Sequence, residues 1–166
     1  MNCPDCGAVL RLEDGKDYLT CDYCKNLHFP DLNDDCVRVL GEAAQLFCPI
    51  CRIPLVHASI EGMRIFSCRH CRGILLSMDV FVDAVDALRA KLGHTSPLAN
   101  PITRKDLDRV VRCPQCHARM DTHLYGGPGR IIIDSCSDCR LNWLDYGELR
   151  RVVRAPDRYQ GGEEPG

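Results

Sequence analysis

Residues 113–139 read CPQCHARMDTHLYGGPGRIIIDSCSDC, with a Cys-x-x-Cys pair at each end. Between the pairs, the strand-forming runs 122–125 and 130–134 flank Gly126-Gly127-Pro128-Gly129, which is a strong turn signal. A phosphate-binding loop would need a helix after these glycines, whereas here an apolar strand follows. The stretch therefore predicts a β-hairpin with a cysteine knuckle at each end, so that four sulfurs converge on one point.

The same pattern occurs three times along the chain. Each first pair has proline after its first cysteine, and the spacers between the pairs are 14, 16 and 19 residues long. The three sets are Cys3, Cys6, Cys21 and Cys24; Cys48, Cys51, Cys68 and Cys71; and Cys113, Cys116, Cys136 and Cys139. This repetition predicts three similar modules.

The first two spacers also have the composition of hairpins, with apolar runs on either side of a polar turn. The predicted strand pairs are 9–12 with 18–20, around the turn 13–16, and 55–60 with 63–67, around Glu61-Gly62.

Two helices are expected, one after the second module and one after the third. An apolar stripe at helical spacing predicts a helix over 78–92, with Phe81, Ala84, Val85, Leu88 and Leu92 on one face. In the third module Asp145 and Glu148 form a capping-box-like pair, in which Asp145 accepts backbone N–H groups and Glu148 reaches back. The pair predicts a short helix over 146–154, with Leu149 and Val152 or Val153 facing inward.

The twelve paired cysteines favour metal binding over disulfides or redox chemistry. A redox Cys-x-x-Cys occurs once in a βαβ pattern, whereas this chain has six such pairs in matched sets. Four thiolates around one point form a closed tetrahedral site that suits Zn²⁺, although the same spacing could hold iron as in rubredoxin. Modules of about 30 residues bury too little apolar surface to fold alone, so metal binding must supply the deficit. We therefore expect three Zn²⁺ ions per chain.

The remaining cysteine and the histidines near the knuckles need no metal to explain them. Cys36 lies in an apolar stretch outside the three sets and is expected to be a small buried hydrophobe rather than a reactive thiol. Because four cysteines already complete each site, His28, His70 and His117 are expected at the surface or beside the ligands.

The expected fold is α+β, a small metal-stabilised protein of three zinc ribbons with short helices after the second and third. The expected organisation is a first ribbon at 1–31, a connecting segment at 32–47 with a strand at 36–40, a second ribbon plus helix at 48–93, a linker at 94–112 with a short helix over 103–111, a third ribbon plus helix at 113–158, and a disordered tail at 159–166.

Composition and charge indicate the cellular location of the chain and the partners that it does not bind. The N-terminal residues lack the basic and apolar regions of a secretory signal, and no apolar run approaches the roughly 20 residues needed to cross a bilayer. We therefore expect a soluble cytoplasmic protein that does not bind membranes. Its formal net charge of −2 argues against a large nonspecific attraction to nucleic acid.

The third module resembles the small bacterial zinc-ribbon family named after transcription factor IIB. In that family the second Cys-x-x-Cys leads into Trp-Leu-Asp-x-Gly-Glu-Leu, which is matched here by residues 143–149. The second module, over about 48–88, resembles the family more weakly, with Leu75-Leu76-Ser77-Met78-Asp79 in the corresponding place. The family often has glycine after each pair, but only Gly7 follows its pair directly in this chain. The resemblance implies zinc binding and, by its name, transcription.

Three classes of function follow from these features, and an interaction or scaffold protein is the preferred one. In that hypothesis Trp143 is the sharpest candidate contact, unless it closes the ribbon core by packing on the helix that follows. The alternative is a nucleic-acid-binding or transcription-associated protein, supported by residues 48–77, whose four arginines and one glutamate give 4 − 1 = +3. An enzyme is not expected, because a closed four-cysteine site has no open coordination position.

Overall fold

The first ribbon is a small antiparallel sheet in this computed structural model, which describes residues 1–92, 107–125 and 131–154. Its strands are β1 (Leu10–Leu12), β2 (Leu19–Cys21) and β3 (Leu27–His28), in the order β1-β2-β3. The first two strands form the predicted hairpin, with Arg11 opposite Thr20. The ribbon lies against the rest of the molecule, where Arg64 donates a hydrogen bond of 2.6 Å to the carbonyl oxygen of Glu13.

The second and third ribbons share one seven-stranded antiparallel sheet. Its strands in chain order are β4 (Arg38–Phe47), β5 (Pro54–Ile60), β6 (Met63–Ser67), β7 (Ile74–Ser77), β8 (Asp121–Tyr125), β9 (Ile131–Cys136) and β10 (Leu141–Leu144). Their order across the sheet is β4-β5-β6-β7-β10-β9-β8. The predicted hairpins are present as β5–β6 and β8–β9, so the α+β fold of three ribbons is confirmed.

The expected strand at 36–40 begins two residues later, at Arg38. The reason is a turn before it, in which the side-chain oxygen of Asn33 accepts the backbone N–H groups of Asp35 and Val37. Cys36 takes the left-handed conformation in this turn, with φ of 59°, which is incompatible with a strand. The connecting segment thus supplies the edge strand β4 of the large sheet.

Strands β7 and β10 join the second and third ribbons about an approximate two-fold axis. Leu75 lies opposite Trp143, and each is the fourth residue after the last cysteine of its ribbon (71 + 4 and 139 + 4). The pairs on either side, Ile74 with Leu144 and Leu76 with Asn142, exchange places under the same rotation. The two ribbons therefore pack as equivalent halves.

The shared sheet has a separate apolar core on each face. The helix-side core includes Ile74, Leu76 and Leu144, which pack with both helices. The cysteine-side core includes Leu75 and Trp143, which alternate with them along β7 and β10 and pack among the cysteines. Burying each such side chain fully contributes about 1.5–3 kcal/mol.

Helix α1 (Met78–Leu92) occupies the predicted residues 78–92. Ser77 caps its N-terminus, because the Ser77 hydroxyl oxygen accepts the backbone N–H of Val80 at 3.1 Å. Four of the five stripe residues are buried in the helix-side core, namely Phe81, Ala84, Val85 and Leu88. Leu92, at the end of the helix, is instead 56% exposed.

Helix α2 (Glu148–Arg154) is shorter than the predicted 146–154. Seven residues are too few for a helix that is stable alone, so its ends need partners. At its N-terminus the Asp35 carboxylate accepts the backbone N–H groups of Gly147 at 2.7 Å and Arg150 at 3.3 Å. At its C-terminus the Arg89 guanidinium donates to the carbonyl oxygens of Val152 and Val153. Both charges complement the helix dipole.

Half of the predicted capping box is present. Glu148 Oε2 accepts the backbone N–H of Asp145 at 2.7 Å, as expected. The Asp145 carboxylate was predicted to accept backbone N–H groups, but it accepts Trp143 Nε1 at 3.2 Å and pairs with Arg109 at 2.8 Å. Leu149, Val152 and Val153 are fully buried, as predicted.

Three predicted features lie wholly or partly outside the described residues. They are the turn at 126–129, the linker at 94–112 with its helix over 103–111, and the tail at 159–166.

Trp143 closes the core by packing on the neighbouring ribbon. Its side chain is fully buried, and the indole covers Gly73 of the second ribbon. A Cβ built on Gly73 would lie 2.8 Å from Trp143 Cη2 and closer still to Cζ2, which no real side chain tolerates. The predicted packing of Trp143 on the following helix is therefore wrong. The hypothesis that Trp143 contacts a partner protein is also wrong, since no surface of its side chain is exposed.

Gly73→Ala should lower the free energy of unfolding by about 1–3 kcal/mol, because the new methyl group overpacks the indole. Trp143→Leu, which copies the equivalent Leu75 of the second ribbon, should relieve that clash. Chemical denaturation of both single variants and the double variant measures the coupling. Strictly additive losses would show that Gly73 and Trp143 do not limit each other.

Stability should fall as pH rises from about 4.5 to about 8, because of Glu148. Burial, and then the neighbouring Asp145 carboxylate, raises the pKa of Glu148 to about 8 from 4.5. The folded chain therefore holds this proton more tightly than the unfolded chain does. The stabilisation is complete below about pH 4.5 and is lost as pH rises towards 8.

Between about pH 6.5 and 8.5 the loss should reach about 2 kcal/mol at most, at about 1.4 kcal/mol per pKa unit. Glu148→Gln keeps the capping hydrogen bond and should remove most of this slope. Urea denaturation at each pH, with bound metal measured in the same samples, tests the expectation. Equal slopes in both proteins would contradict it.

Candidate metal centres

Three groups of four cysteine sulfurs converge in the structure, and they are the three predicted sets. Within each group all four sulfurs lie within 4.8 Å of one another. The members are Cys3, Cys6, Cys21 and Cys24; Cys48, Cys51, Cys68 and Cys71; and Cys113, Cys116, Cys136 and Cys139. In every group the first cysteine of each pair is buried, whereas the second is exposed or partly exposed.

The spacing of the sulfurs fits a tetrahedral ion and excludes a disulfide. The Sγ atoms of Cys3 and Cys24 are 3.7 Å apart, as are those of Cys48 and Cys71, and those of Cys116 and Cys136 are 3.6 Å apart. A Zn–S bond of about 2.3 Å gives a tetrahedral edge of about 3.8 Å. A disulfide bond would need about 2.05 Å, and none of the cysteines forms one.

Each Cys-x-x-Cys pair sits on a tight knuckle held by backbone hydrogen bonds. In five of the six knuckles the carbonyl oxygen of the first cysteine accepts the N–H of the residue after the second, at 2.8–3.0 Å. The N–H of that first cysteine also donates to the carbonyl two residues beyond the pair, as from Cys48 to Ile53 at 2.8 Å. In the sixth knuckle Cys136 faces Leu141 within the β9–β10 ladder.

The residue after each pair is left-handed in all six knuckles, a conformation that glycine adopts without strain. The φ values are 77° at Gly7, 64° at Lys25, 63° at Arg52, 60° at Arg72, 62° at His117 and 52° at Arg140. The left-handed conformation costs a residue with a Cβ roughly 1–2 kcal/mol. Departure from glycine at five positions thus leaves the knuckle shape intact, at a cost that the rest of the ribbon must offset.

Without a cation the four thiols of a site cannot all ionise. In the second ribbon a hydrogen bond from the Cys71 thiol lowers the pKa of Cys48 to about 5, while the interaction with Cys48 raises the pKa of Cys71. One thiolate is stabilised only by keeping a proton on its neighbour. A divalent cation among the sulfurs removes that conflict, so these residues fit a metal ion.

Two of the three histidines near the knuckles lie beside sulfurs. His28 Nε2 is 3.2 Å from Cys3 Sγ, and His70 Nδ1 is 3.3 Å from Cys51 Sγ. The His117 side chain is exposed, and its carbonyl oxygen accepts a hydrogen bond from Arg112. Their predicted places beside the sites agree with these contacts.

The first site has an additional neighbour that the sequence did not indicate. Asp5 Oδ2 lies 3.6 Å from His28 Nε2, so Cys3, Asp5 and His28 form a second compact group around one shared sulfur. Asn26 donates to the same Asp5 oxygen at 2.9 Å. Asp5 lies between the two cysteines of the first knuckle, and this place in the sequence could have indicated that its side chain lies beside the site.

Cys36 stands apart from all three groups. It is partly buried against the helix-side core, and burial raises the pKa of its thiol. A protonated, half-buried thiol is a poor nucleophile, which agrees with the expected role as a small hydrophobe.

The third ribbon is similar to a known family by its sequence as well as having a four-cysteine group in its geometry. Residues 112–155 match the family model described as "Transcription factor zinc-finger". The first and second ribbons lie outside that match and share with it the arrangement of four cysteines. Searches of curated proteins and of solved structures found no match. No helix among the described residues has the length and apolar character needed to span a bilayer.

Removing the metal should unfold the first ribbon, whose buried core holds only Leu10 and Leu19 besides cysteines, and should disrupt the knuckles in the cysteine-side core of the shared sheet. Circular dichroism after chelation at neutral pH should show loss of strand signal, with recovery when zinc is restored. An unchanged spectrum in metal-free protein would contradict this expectation.

Cys71→Ser should reduce the bound metal from three ions per chain to two, because three thiolates leave the second site open. Cys36→Ser is the matched control and should leave the stoichiometry at three. Elemental analysis of both purified variants measures the difference.

Proposed function

We propose that this chain is a structural zinc protein with three closed four-cysteine sites, and that it serves as a scaffold in contacts with other proteins. Zinc is favoured over iron because it takes four sulfur ligands without any redox demand. We also propose a cytoplasmic location, since free thiolates need a reducing compartment. Catalysis is not expected, because four protein ligands leave the ion no open position.

The main support for a contact with another protein is the set of exposed apolar side chains on the first ribbon. The described residues expose 14 large hydrophobic side chains; five of them belong to the first ribbon, and a sixth, Leu32, directly follows it. These six are Met1, Val9, Tyr23, Leu27, Phe29 and Leu32, with Tyr23 81% and Val9 74% exposed. Contiguous exposed apolar side chains are typical of a binding surface, and we propose that these residues form one.

The charge of the first ribbon favours protein over nucleic acid. Residues 1–30 carry three basic and five acidic side chains, which gives 3 − 5 = −2. A phosphate backbone would be repelled by this surface, whereas a protein with apolar and basic groups would be attracted.

The alternative function as a nucleic-acid-binding protein relied on four arginines in the second ribbon, and three of them contact the chain itself. Arg64 donates to Glu13 O and Arg69 donates to Gly41 O. Arg72 lies 5.2 Å over the ring of Tyr146. Only Arg52 of the four has no such contact among the described residues. The local charge of +3 therefore serves internal packing more than a phosphate track.

Capture of partners from lysate of the native cells, with and without changes in the first ribbon, tests the proposal. Tyr23→Lys combined with Leu27→Lys should abolish capture of specific partners, because it places charge in the apolar surface. Leu124→Lys, on an apolar residue of the third ribbon about as exposed as Leu27, is the control and should capture the same set as the wild type. All three proteins should retain three zinc ions.

A mobility-shift assay with single- and double-stranded oligonucleotides runs beside the capture. Retarded complexes that persist at moderate salt would favour the nucleic-acid alternative. Identical captured proteins from the first-ribbon variant and the control would reject the first ribbon as the contact.

A further inference from the structure

A groove lies between the first knuckles of the second and third ribbons. It has a volume of about 250 Å³ and is lined by Phe47, Pro49, Arg52, Arg112, Pro114 and His117, together with the first cysteine of each ribbon. The two knuckles contribute equivalent positions, since Pro49 and Pro114 each follow a first cysteine, and Arg52 and His117 each follow a second. The groove is thus formed only because the two ribbons pack as equivalent halves.

Apart from Cys48 and Cys113, whose thiolates belong to the predicted metal sites, the polar side chains of the groove are basic, and no carboxylate lines it. Arg52, Arg112 and His117 are all exposed. Arg112 donates at 3.3 Å to the carbonyl oxygen of His117, and neither arginine pairs with a carboxylate in the described part of the chain. Two guanidinium groups without acidic partners, facing one groove, fit carboxylate groups of a ligand.

The groove also has an apolar side. Phe47 lines it and is 54% exposed, and Ile50 and Ile53 of the same knuckle are exposed as well. Pro49 adds partly exposed apolar surface, whereas Pro114 is buried beneath the groove. A matching ligand would therefore combine negative charge with an apolar side chain.

The volume of the groove distinguishes between the classes of ligand that could bind there. Pockets for small molecules are usually about 300–1,000 Å³, so this groove accepts one or two side chains rather than a cofactor. A single strand of nucleic acid would need a basic track spanning at least about four nucleotides, and the other arginines of the second ribbon are held by internal contacts.

We propose that this groove binds a short acidic segment of a partner protein, with its carboxylates on Arg52 and Arg112 and an apolar side chain against Phe47. The inference rests on the proposed scaffold function and adds a second contact surface to that of the first ribbon. A protein with two separate contact surfaces can hold two partners together.

The basic residues have one competing role. Four thiolates and one Zn²⁺ carry a net charge of −2, and Arg52 directly follows a predicted ligand, so its charge could serve the metal site alone. Lys25 separates the two roles, because it also follows a Cys-x-x-Cys pair in the left-handed conformation, at the second knuckle of the first ribbon and outside the groove. Arg52→Gly and Lys25→Gly remove one cation each, with the same relief of backbone strain.

The experiment uses the zinc-loaded full chain and a fluorescein-labelled peptide of about ten aspartate and glutamate residues with one central phenylalanine. Fluorescence anisotropy should show saturable binding, weakened about tenfold or more by Arg52→Gly and by Arg112→Ala. Lys25→Gly should bind as the wild type does. A peptide with alanine in place of phenylalanine should bind more weakly, and a lysine peptide should not bind.

Several results would overturn the groove as a binding site. These are no binding of the acidic peptide at about 1 mM, equal binding by wild type and both groove variants, or stronger binding of an oligothymidine of similar length. Loss of zinc from Arg52→Gly but not from Lys25→Gly would assign Arg52 to the metal site instead. If the acidic peptide does not bind but partners are captured through the first ribbon, the groove is rejected as a binding site and the proposed scaffold function is retained.

Discussion

The convergence of four cysteine sulfurs in each ribbon is the constraint on which the rest of the structure depends. The first ribbon illustrates it most directly, because its core of buried residues is only Cys3, Leu10, Leu19 and Cys21. Two leucines cannot offset the conformational entropy of about 30 ordered residues. The sulfurs are therefore part of the core as well as the predicted metal ligands, and the strands are arranged by the knuckles that carry those sulfurs.

The second and third ribbons add a second level of organisation to this local one. Pairing of β7 with β10 merges two hairpins into one sheet, and each face of that sheet has its own core. Trp143 from one ribbon fills the space above Gly73 of the other, so the cysteine-bearing ends support each other. The shared sheet fixes the second and third ribbons relative to each other, which suits the proposed scaffold.

The family match covers less than the unit that folds in this chain. Residues 112–155 match the family model, yet helix α2 inside that range is held at one end by Asp35 and at the other by Arg89. Both residues lie in earlier parts of the chain. The third ribbon therefore relies on the connecting segment and on the second ribbon, and the groove between the knuckles exists only in the assembled pair.

The sequence by itself determined the local features. The spacing of the twelve cysteines predicted the three sulfur groups, the turn residues predicted the hairpins, and the stripe from Phe81 to Leu88 predicted α1. Each of these depends on residues close together in the chain, where a backbone period or a tight turn leaves few alternatives.

The tertiary structure alone decided the contacts between distant segments. The pairing of β7 with β10, the position of Trp143 over Gly73, the clamping of α2 by Asp35 and Arg89, and the basic groove have no local signal. Whether Leu75 pairs with Trp143 depends on shape complementarity between two folded ribbons. The sequence identifies Cys71 and Cys139 as knuckle cysteines from local spacing alone, because each belongs to its own Cys-x-x-Cys pair. The ribbons were therefore predictable from the sequence, whereas the packing of one ribbon on the other was not.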